Sequence, residues 1–394
     1  MLATAAAIVI LRMRLAERAI PKIEEGDRLP PAPGLLSIVI PAHNEARVIE
    51  ESVRTLRRQT RRNIEVTYVL DRCTDRTREL LVAAAAGDDR IRFVENDSCP
   101  ADWAGKCNAC RVGASHARGE WILFTDADCR FAPELLDAML AIAESRGADL
   151  TSAVGRLTFR HRFERLLQPV AALVLFRVFP LDKANRRDQP WPFANGQFLL
   201  FRRERYRAIG GHDLVKDALL EDLFFAWRVH RQGGRVAVVD ASSRMEVAMY
   251  ETAASMRSGW TRILIESCNR TPRRLVLLAI ELGVVSVLLP LLATIAAVAG
   301  SVGILRGAAN AESAALLGAG LASLALGLAA VMLVYARQRA PIVWALGHPI
   351  GAACVAWWLL DGARMLRRRI PIRWGGREYV LEPRRRRGRA AAKN

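Results

Sequence analysis

Lysine is nearly missing from this chain. Five of its 58 basic residues are lysine, at positions 22, 106, 183, 216 and 393, and the rest are arginine. The sequence writes Arg wherever a generic positive charge would serve, so Lys106 in "WAGKCNA" is an informative exception. Acid is short too, and the net charge is +18. The seven cysteines are scattered without a secreted-domain framework, which fits a reducing compartment. Cys99, Cys107, Cys110 and His116 can be drawn as a zinc set, but a second C-x-x-C pair is lacking. Cys107 and Cys110 fall in a helical pattern, where small buried packing residues are expected. No nucleic-acid motif accompanies the arginines, which flank apolar runs. The charge therefore points to a membrane face and anionic lipid, not to nucleic acid.

Charge is scarcest near the C-terminal end. Runs at about 275–305, 313–335 and 341–363 are each long enough to span a bilayer, giving about three membrane helices over 275–365. Three crossings from the cytoplasm would put the arginines at 367–369 and 384–387 outside, against the positive-inside rule. The first run contains Glu281 and Pro290, so a re-entrant or interfacial role for it would restore an even count. A cytoplasmic basic tail, 366–394, follows from that count. At the other end, "MLATAAAIVIL" is apolar and precedes "RMRLAER", the charge order of an anchor rather than a cleaved signal. Its apolar stretch falls short of the ~20 residues a crossing needs, so 1–20 reads as a partial or interfacial anchor. Residues 164–180 are apolar but broken by Gln168, Pro169 and Arg177, and read as an interfacial or buried helix.

Between these ends, residues 35–270 alternate strand and helix patterns. "LLSIVIP", "IEVTYVL", "IRFVEN" and "WILFTD" read as strands, separated by "EARVIEESVRTLRRQ", "CTDRTRELLVAAAA" and "KCNACRVGASHA". This spacing predicts an α/β fold with a doubly wound, mainly parallel sheet. Ligands bind such sheets beyond the carboxyl ends of the strands, where "PAHNE", "DRCTD" and "DAD" all fall. In "WILFTDADCR", Asp126 and Asp128 are two apart and would share a face of an extended chain, so both carboxylates could grip one cation. A polar turn with an Asp near the next helix N-terminus is the plainer alternative.

The motifs "IVIPAHNEARVI", "VLDRCTDRT", "GKCNACRVGA", "FTDADCRFAPELL", "NGQFLLFRRERYRAIGGH" and "LLEDLFFAWRVHRQG" together resemble membrane-bound family-2 inverting glycosyltransferases with the GT-A fold. "MYETAASMRSGW" and "IRWGGREYVL" resemble the carotenoid (diaponeurosporenoate-type) branch, with hopanoid-associated enzymes more distant. The resemblance implies transfer of a sugar from a nucleotide sugar, UDP-linked by preference, with Asp126 and Asp128 holding Mg²⁺ or Mn²⁺. It places Pro41, Asn44 and Glu45 near the base and ribose, Asp71 on a uracil imide N–H, and Lys106 with Asp126 at the diphosphate. For Asp71, Thr74 and Asp75 a turn and helix cap is the alternative, and Arg72 and Arg76 depart from the small residues usual there. Asp222, beside Glu221, is implied as the general base that activates an acceptor hydroxyl. Asn195, Gly196, Gln197 and Trp260 fall on the acceptor or sugar side, and His212 is either a donor-pocket or a structural histidine. "MRSGW" keeps only the tryptophan of the Q-x-x-R-W motif of processive synthases, which favours a single transfer. The expectation is a multi-pass inner-membrane enzyme, its catalytic domain cytoplasmic, that glycosylates a lipid acceptor. A processive polysaccharide synthase and a catalytically inactive membrane scaffold are the alternatives.

Overall fold

The structure is a computed structural model, and it describes residues 2–186, 191–307 and 310–384. Helix α1 (Leu2–Ala19) comes first. The expected alternation follows as β1 (Leu36–Ala42), α2 (Ile49–Arg57), β2 (Ile64–Asp71), α3 (Thr77–Ala85), β3 (Ile91–Asn96), α4 (Gly105–Ser115) and β4 (Trp121–Phe124). Next come β5 (Cys129–Phe131), α5 (Leu135–Ser145), β6 (Leu150–Val154), β7 (Arg156–Leu157) and α6 (Arg162–Val178). The soluble part closes with β8 (Leu199–Arg202), α7 (Arg203–Ala208), α8 (Glu221–Arg231), β9 (Val236–Asp240), β10 (Met245–Val247) and α9 (Ala253–Ser267).

Seven strands form one mixed sheet in the order β3-β2-β1-β4-β8-β6-β9. Every pairing that does not involve β8 is parallel; β8 runs antiparallel to both β4 and β6. Helices cover both faces, so β2 is buried along its whole length and reads as a continuous run without alternation. Its first acid, Glu65, is buried but accepts hydrogen bonds from Ser37 Oγ (2.6 Å) and the Arg118 amide (2.7 Å). A smaller sheet, β5-β10-β7, lies beside the large one and shapes the turn after β4.

Three helical runs, Pro272–Leu305, Ala311–Arg337 and Ile342–Arg368, are long and apolar enough to cross a membrane. The first comprises α10 (Pro272–Gly283), a π-helical stretch at Val284–Leu288 just before Pro290, and α11 (Leu289–Leu305). Then come α12 (Ala311–Arg337) and α13 (His348–Arg368). Leu291, Leu292, Ile295 and Val298 of α11 and Leu321 and Leu326 of α12 are exposed, as lipid-facing side chains would be. Helix α13 differs. It buries Val355, Trp358 and Leu359 in the main apolar core and holds Asp361 against Arg257 of α9 at 2.8 Å. Its outer face keeps Ile350 and Trp357 exposed, but of the three runs it is the one most buried against the α/β domain.

After α13 the chain returns as a hairpin, β11 (Ile372–Trp374) and β12 (Arg377–Tyr379). Gly375 and Gly376, at φ 55° and 71°, make its two-residue turn, a conformation in which both central residues need positive φ. The hairpin packs on the α/β domain: Arg377 Nη1 donates to the carbonyls of Pro100 (3.0 Å) and Trp103 (2.8 Å). The basic run from 385 onward, expected as a solvated tail or lipid contact, lies outside the described residues.

Candidate active site

A cavity of about 880 Å³ opens along the carboxyl edge of the large sheet. Its polar end collects Pro41, Glu45, Asp71, Lys106, Asp126, Asp128, Asn195, Gly196, Gln197, Glu221 and Asp222, with Trp260 from α9. Sequence elements more than two hundred residues apart, from Pro41 to Trp260, thus meet at one edge, as a doubly wound sheet dictates.

Strand β4 stops at Phe124, so Asp126 and Asp128 sit in the turn between β4 and β5. They share the cavity through that turn, and not through strand alternation. The Thr125 hydroxyl anchors the turn by donating to the Gln197 carbonyl (2.7 Å). Glu45 completes an acidic patch: burial, then the charges of Asp126 and Asp75, pushes its carboxyl up to about 7. Asp128 is likewise pushed well up by burial, then by Asp126 and Glu45. Such crowding fits a place for a divalent cation. Among the described residues no group of three or more His, Cys, Asp or Glu side chains encloses a metal by itself. A pair of carboxylates completed by substrate phosphates is the usual arrangement for Mg²⁺-type ions, and Asp126 with Asp128 fits it.

Lys106, second residue of α4, is the hub. Its Nζ lies 2.8 Å from Asp126 Oδ1 and 2.9 Å from Glu221 Oε1, with 16% of the side chain exposed. Burial pulls its pKa down, and the Asp126 and Glu221 charges more than reverse this, so it stays protonated. Glu221 is opposed by burial but held below its ordinary value by Lys106. Asp222, the next residue, has no cation of its own. Burial first, and the Glu221 charge second, raise it to about 7, even though Oδ1 accepts from Leu223 N–H and Oδ2 from Gly196 N–H, both at 2.7 Å. One acid is thereby kept ionised and its neighbour poised near neutrality, the separation an acid–base group needs.

Gly196 stands where this charge converges: a Cβ there would lie 3.1 Å from Lys106 Nζ and 3.3 Å from Asp222 Oδ2. Its neighbours brace each other, Asn195 Nδ2 donating to Gln197 Oε1 at 2.9 Å and the Asn195 amide to Ser152 Oγ at 2.8 Å. Asp71 is buried at the end of β2. Arg72 donates to both its oxygens (3.2 and 2.5 Å) and Asn96 Nδ2 to Oδ1 (2.8 Å), so most of its acceptor capacity is used within the protein. Arg76 turns away to Glu79 on the surface.

Two candidates have other roles than a place on the wall. Asn44 is exposed, has φ 57°, and is absent from the cavity lining. Its Oδ1 accepts from the amides of Thr74 (2.8 Å) and Asp75 (3.3 Å), pinning the β1 loop to the β2 loop. His212 is buried behind the site, its Nδ1 2.7 Å from Tyr206 Oη and its ring against Phe124 and Phe225. Burial lowers it to about 3, so it is neutral, and the structural role is the one it fills. Trp260 is buried too, and its indole N–H has no hydrogen-bond partner among the described residues. Cys107 and Cys110 pack inside α4.

Sequence reasoning missed the hairpin as a wall. Arg373, Trp374, Gly375, Gly376 and Tyr379 all line the cavity, Tyr379 Oη accepts from the Gly105 amide (3.2 Å), and Trp374 stacks under Arg262 at 4.2 Å. The signal available was the "WGGR" turn between aromatic-bearing flanks. His43, whose Nδ1 donates to the Asp71 carbonyl (2.6 Å), was also missed.

Residues 37–210 match the family model Glycosyl transferase family 2, so that part of the chain carries a family-2 glycosyltransferase domain. A 4,4'-diaponeurosporenoate glycosyltransferase of Staphylococcus aureus (strain MRSA252) is 27% identical over 241 residues, which is 60% of this chain and 62% of that protein. The match thus spans under two thirds of that relative's length. Glycosyltransferase GlyG of Streptococcus pneumoniae serotype 4 is 28% identical over 116 residues, 29% of this chain and 37% of that one. Among solved structures, a mannosyltransferase from Pyrobaculum calidifontis in complex with GDP-Man and Mn²⁺ is similar at 17% identity and a TM-score of 0.46, covering 93% of this chain and 98% of that one. Residues 1–349 of S. aureus TarS in complex with UDP-GlcNAc are similar at 14% identity and a TM-score of 0.40, covering 88% and 96%.

Proposed function

We propose that this chain is an inverting, GT-A-type glycosyltransferase that moves one sugar from a UDP-sugar to the hydroxyl of a membrane lipid. The observation that carries the proposal is the placement of Asp222, raised to about 7, in one cavity with Asp126 and Asp128. Asp222 takes the acceptor proton as the acceptor oxygen forms its bond to the anomeric carbon, and the bond from that carbon to the diphosphate breaks on the opposite face. A single displacement of this kind inverts the centre. A Mg²⁺ or Mn²⁺ ion held by Asp126 and Asp128 would neutralise charge on the departing diphosphate. Lys106 has three N–H donors, two of them engaged by Asp126 and Glu221, which leaves one for a phosphate oxygen. Asp71 retains acceptor capacity for a uracil imide N–H beside Arg72.

The membrane helices give the acceptor its route. The hairpin after α13 packs on the same domain as the candidate site, which supports an even number of crossings between the two. We assign these to the α11–α12 pair, with α13 in the interface and the catalytic domain in the cytoplasm, at the inner membrane.

Mass analysis of host lipids after incubation with a panel of UDP-sugars and Mn²⁺ tests the proposal. A single added sugar per lipid is expected; a ladder of products would point to processive synthesis, and nucleotide binding without a glycolipid would remove the lipid acceptor.

A further inference from the structure

Beyond the carboxylates, the cavity continues into an apolar arm that the chemistry above does not use. Its walls are Met13 and Ala16 of α1 with Ile20 just beyond it, and Leu175 and Phe176 of α6 with Phe179 just beyond it; Glu17 is the charged residue of α1 at this wall. The α1 residues recur at helical spacing and form one stripe facing inward. A second stripe, Ile8, Leu11 and Leu15, is exposed at 55%, 58% and 43%. The helix also exposes Arg14 and Arg18, the make-up of a helix lying at a membrane interface. It suits a partition between an apolar chamber and hydrocarbon.

The partition packs on α12 and on the turn at Leu181–Lys183, and polar ties add to that packing. Arg12 Nη2 donates to the Phe176 carbonyl (3.3 Å), Asn185 Nδ2 to the Ala19 carbonyl (3.4 Å), and Glu17 pairs with Arg337 at the end of α12. Those ties place the α1–α6 seam beside the last turn of an apolar, membrane-length helix. The arm is therefore continuous with Asp222 at one end and lies against the membrane side at the other.

We propose that this arm is the acceptor site and that the α1–α6 seam is its lateral portal. The apolar body of a bilayer lipid lies between α1 and α6 while its hydroxyl reaches Asp222. The inference rests on the lipid-acceptor reading above and adds the place where that lipid is held.

Full-length protein in lipid nanodiscs tests it with two tryptophans of equal bulk, Ala16→Trp filling the arm and Leu15→Trp on the outward stripe. Ala16→Trp is expected to lower sugar transfer to lipid by about tenfold or more, because a clash excludes the acceptor. Its UDP affinity with Mn²⁺ should stay within about twofold of wild type, since the nucleotide end is built from other elements. Leu15→Trp should transfer normally. Phe176→p-benzoylphenylalanine should also photo-crosslink to a lipid that competes with the acceptor. Normal lipid transfer by Ala16→Trp, or equal loss in both tryptophan variants, would overturn the portal while leaving the lipid reaction standing. If wild type itself transfers sugar only to water-soluble acceptors, the reading beneath it fails as well.

Discussion

Lys106 and Glu221 lie 2.9 Å apart, Nζ to Oε1, with the glutamate almost wholly buried. This pair lets two adjacent acids differ. Glu221 carries its charge against the ammonium, and that retained charge is one of the two causes that raise Asp222. The same ammonium reaches Asp126, so the acidic patch and the base are held by one side chain.

Replacing Lys106 by Met leaves Glu221 buried and unpaired. Breaking such a pair typically destabilises by about 3–5 kcal/mol. We expect a markedly lower Tm in detergent, and partial recovery in Lys106→Met/Glu221→Gln, which removes the stranded charge. Equal loss in the single and double variants would contradict the pairing.

The state of Asp222 sets a pH dependence. Its carboxyl is raised to about 7, and only the deprotonated form can accept a proton, so kcat/KM should rise with pH up to about 7 and level off above it. A rate limited by this group falls tenfold per pH unit on the acid side. Asp222→Asn should remove the inflection and cost about 10²–10⁴-fold in rate. A flat profile between pH 5 and 8 in wild type would contradict the assignment.

Gly196 tests how finely the centre is placed. A methyl there must move Lys106 or Asp222 by a few tenths of an ångström, since it would meet them at 3.1 and 3.3 Å. Gly196→Ala should lower kcat by about tenfold with little change in Tm, because small misplacements at a reacting centre are costly. Loss of stability with unchanged kcat would make the glycine structural only.

The hairpin should act on the donor side. Gly376 has φ 71°, and a Cβ there would meet His43 Nε2 at 2.7 Å. Gly376→Ala is therefore expected to raise the KM for the nucleotide sugar by about tenfold while sparing kcat. A change in kcat alone would place the hairpin elsewhere in the cycle.

Much of this architecture was open to reading from residue order. Strands β1 to β4 are local apolar runs separated by helical spacing, and the sheet edge then fixes where Pro41, Asp71 and Asp126 must arrive. Glu221 and Asp222 were marked by their position at a helix start. What could not be read depends on distant contacts. Tyr379 meets Gly105 across 274 residues of sequence, and no periodicity reports that. The docking of α13 was hidden because its apolar composition suits a bilayer and a protein core equally, and only Asp361 hinted at Arg257. Asn44 was placed near the base and ribose by resemblance, and what residue order could not give is that its Oδ1 holds the Thr74 and Asp75 amides of the next loop.

The central claim is metal-assisted transfer of a sugar to lipid with Asp222 as base. The most direct test follows label from UDP-sugars into the organic phase of host membranes, comparing wild type, Asp128→Ala and Asp222→Asn with and without Mn²⁺ or Mg²⁺. Label should enter lipid with wild type and metal, and fall to background in both variants, while Asp222→Asn still binds UDP. Undiminished labelling by Asp222→Asn, or by wild type stripped of divalent metal, would contradict the account.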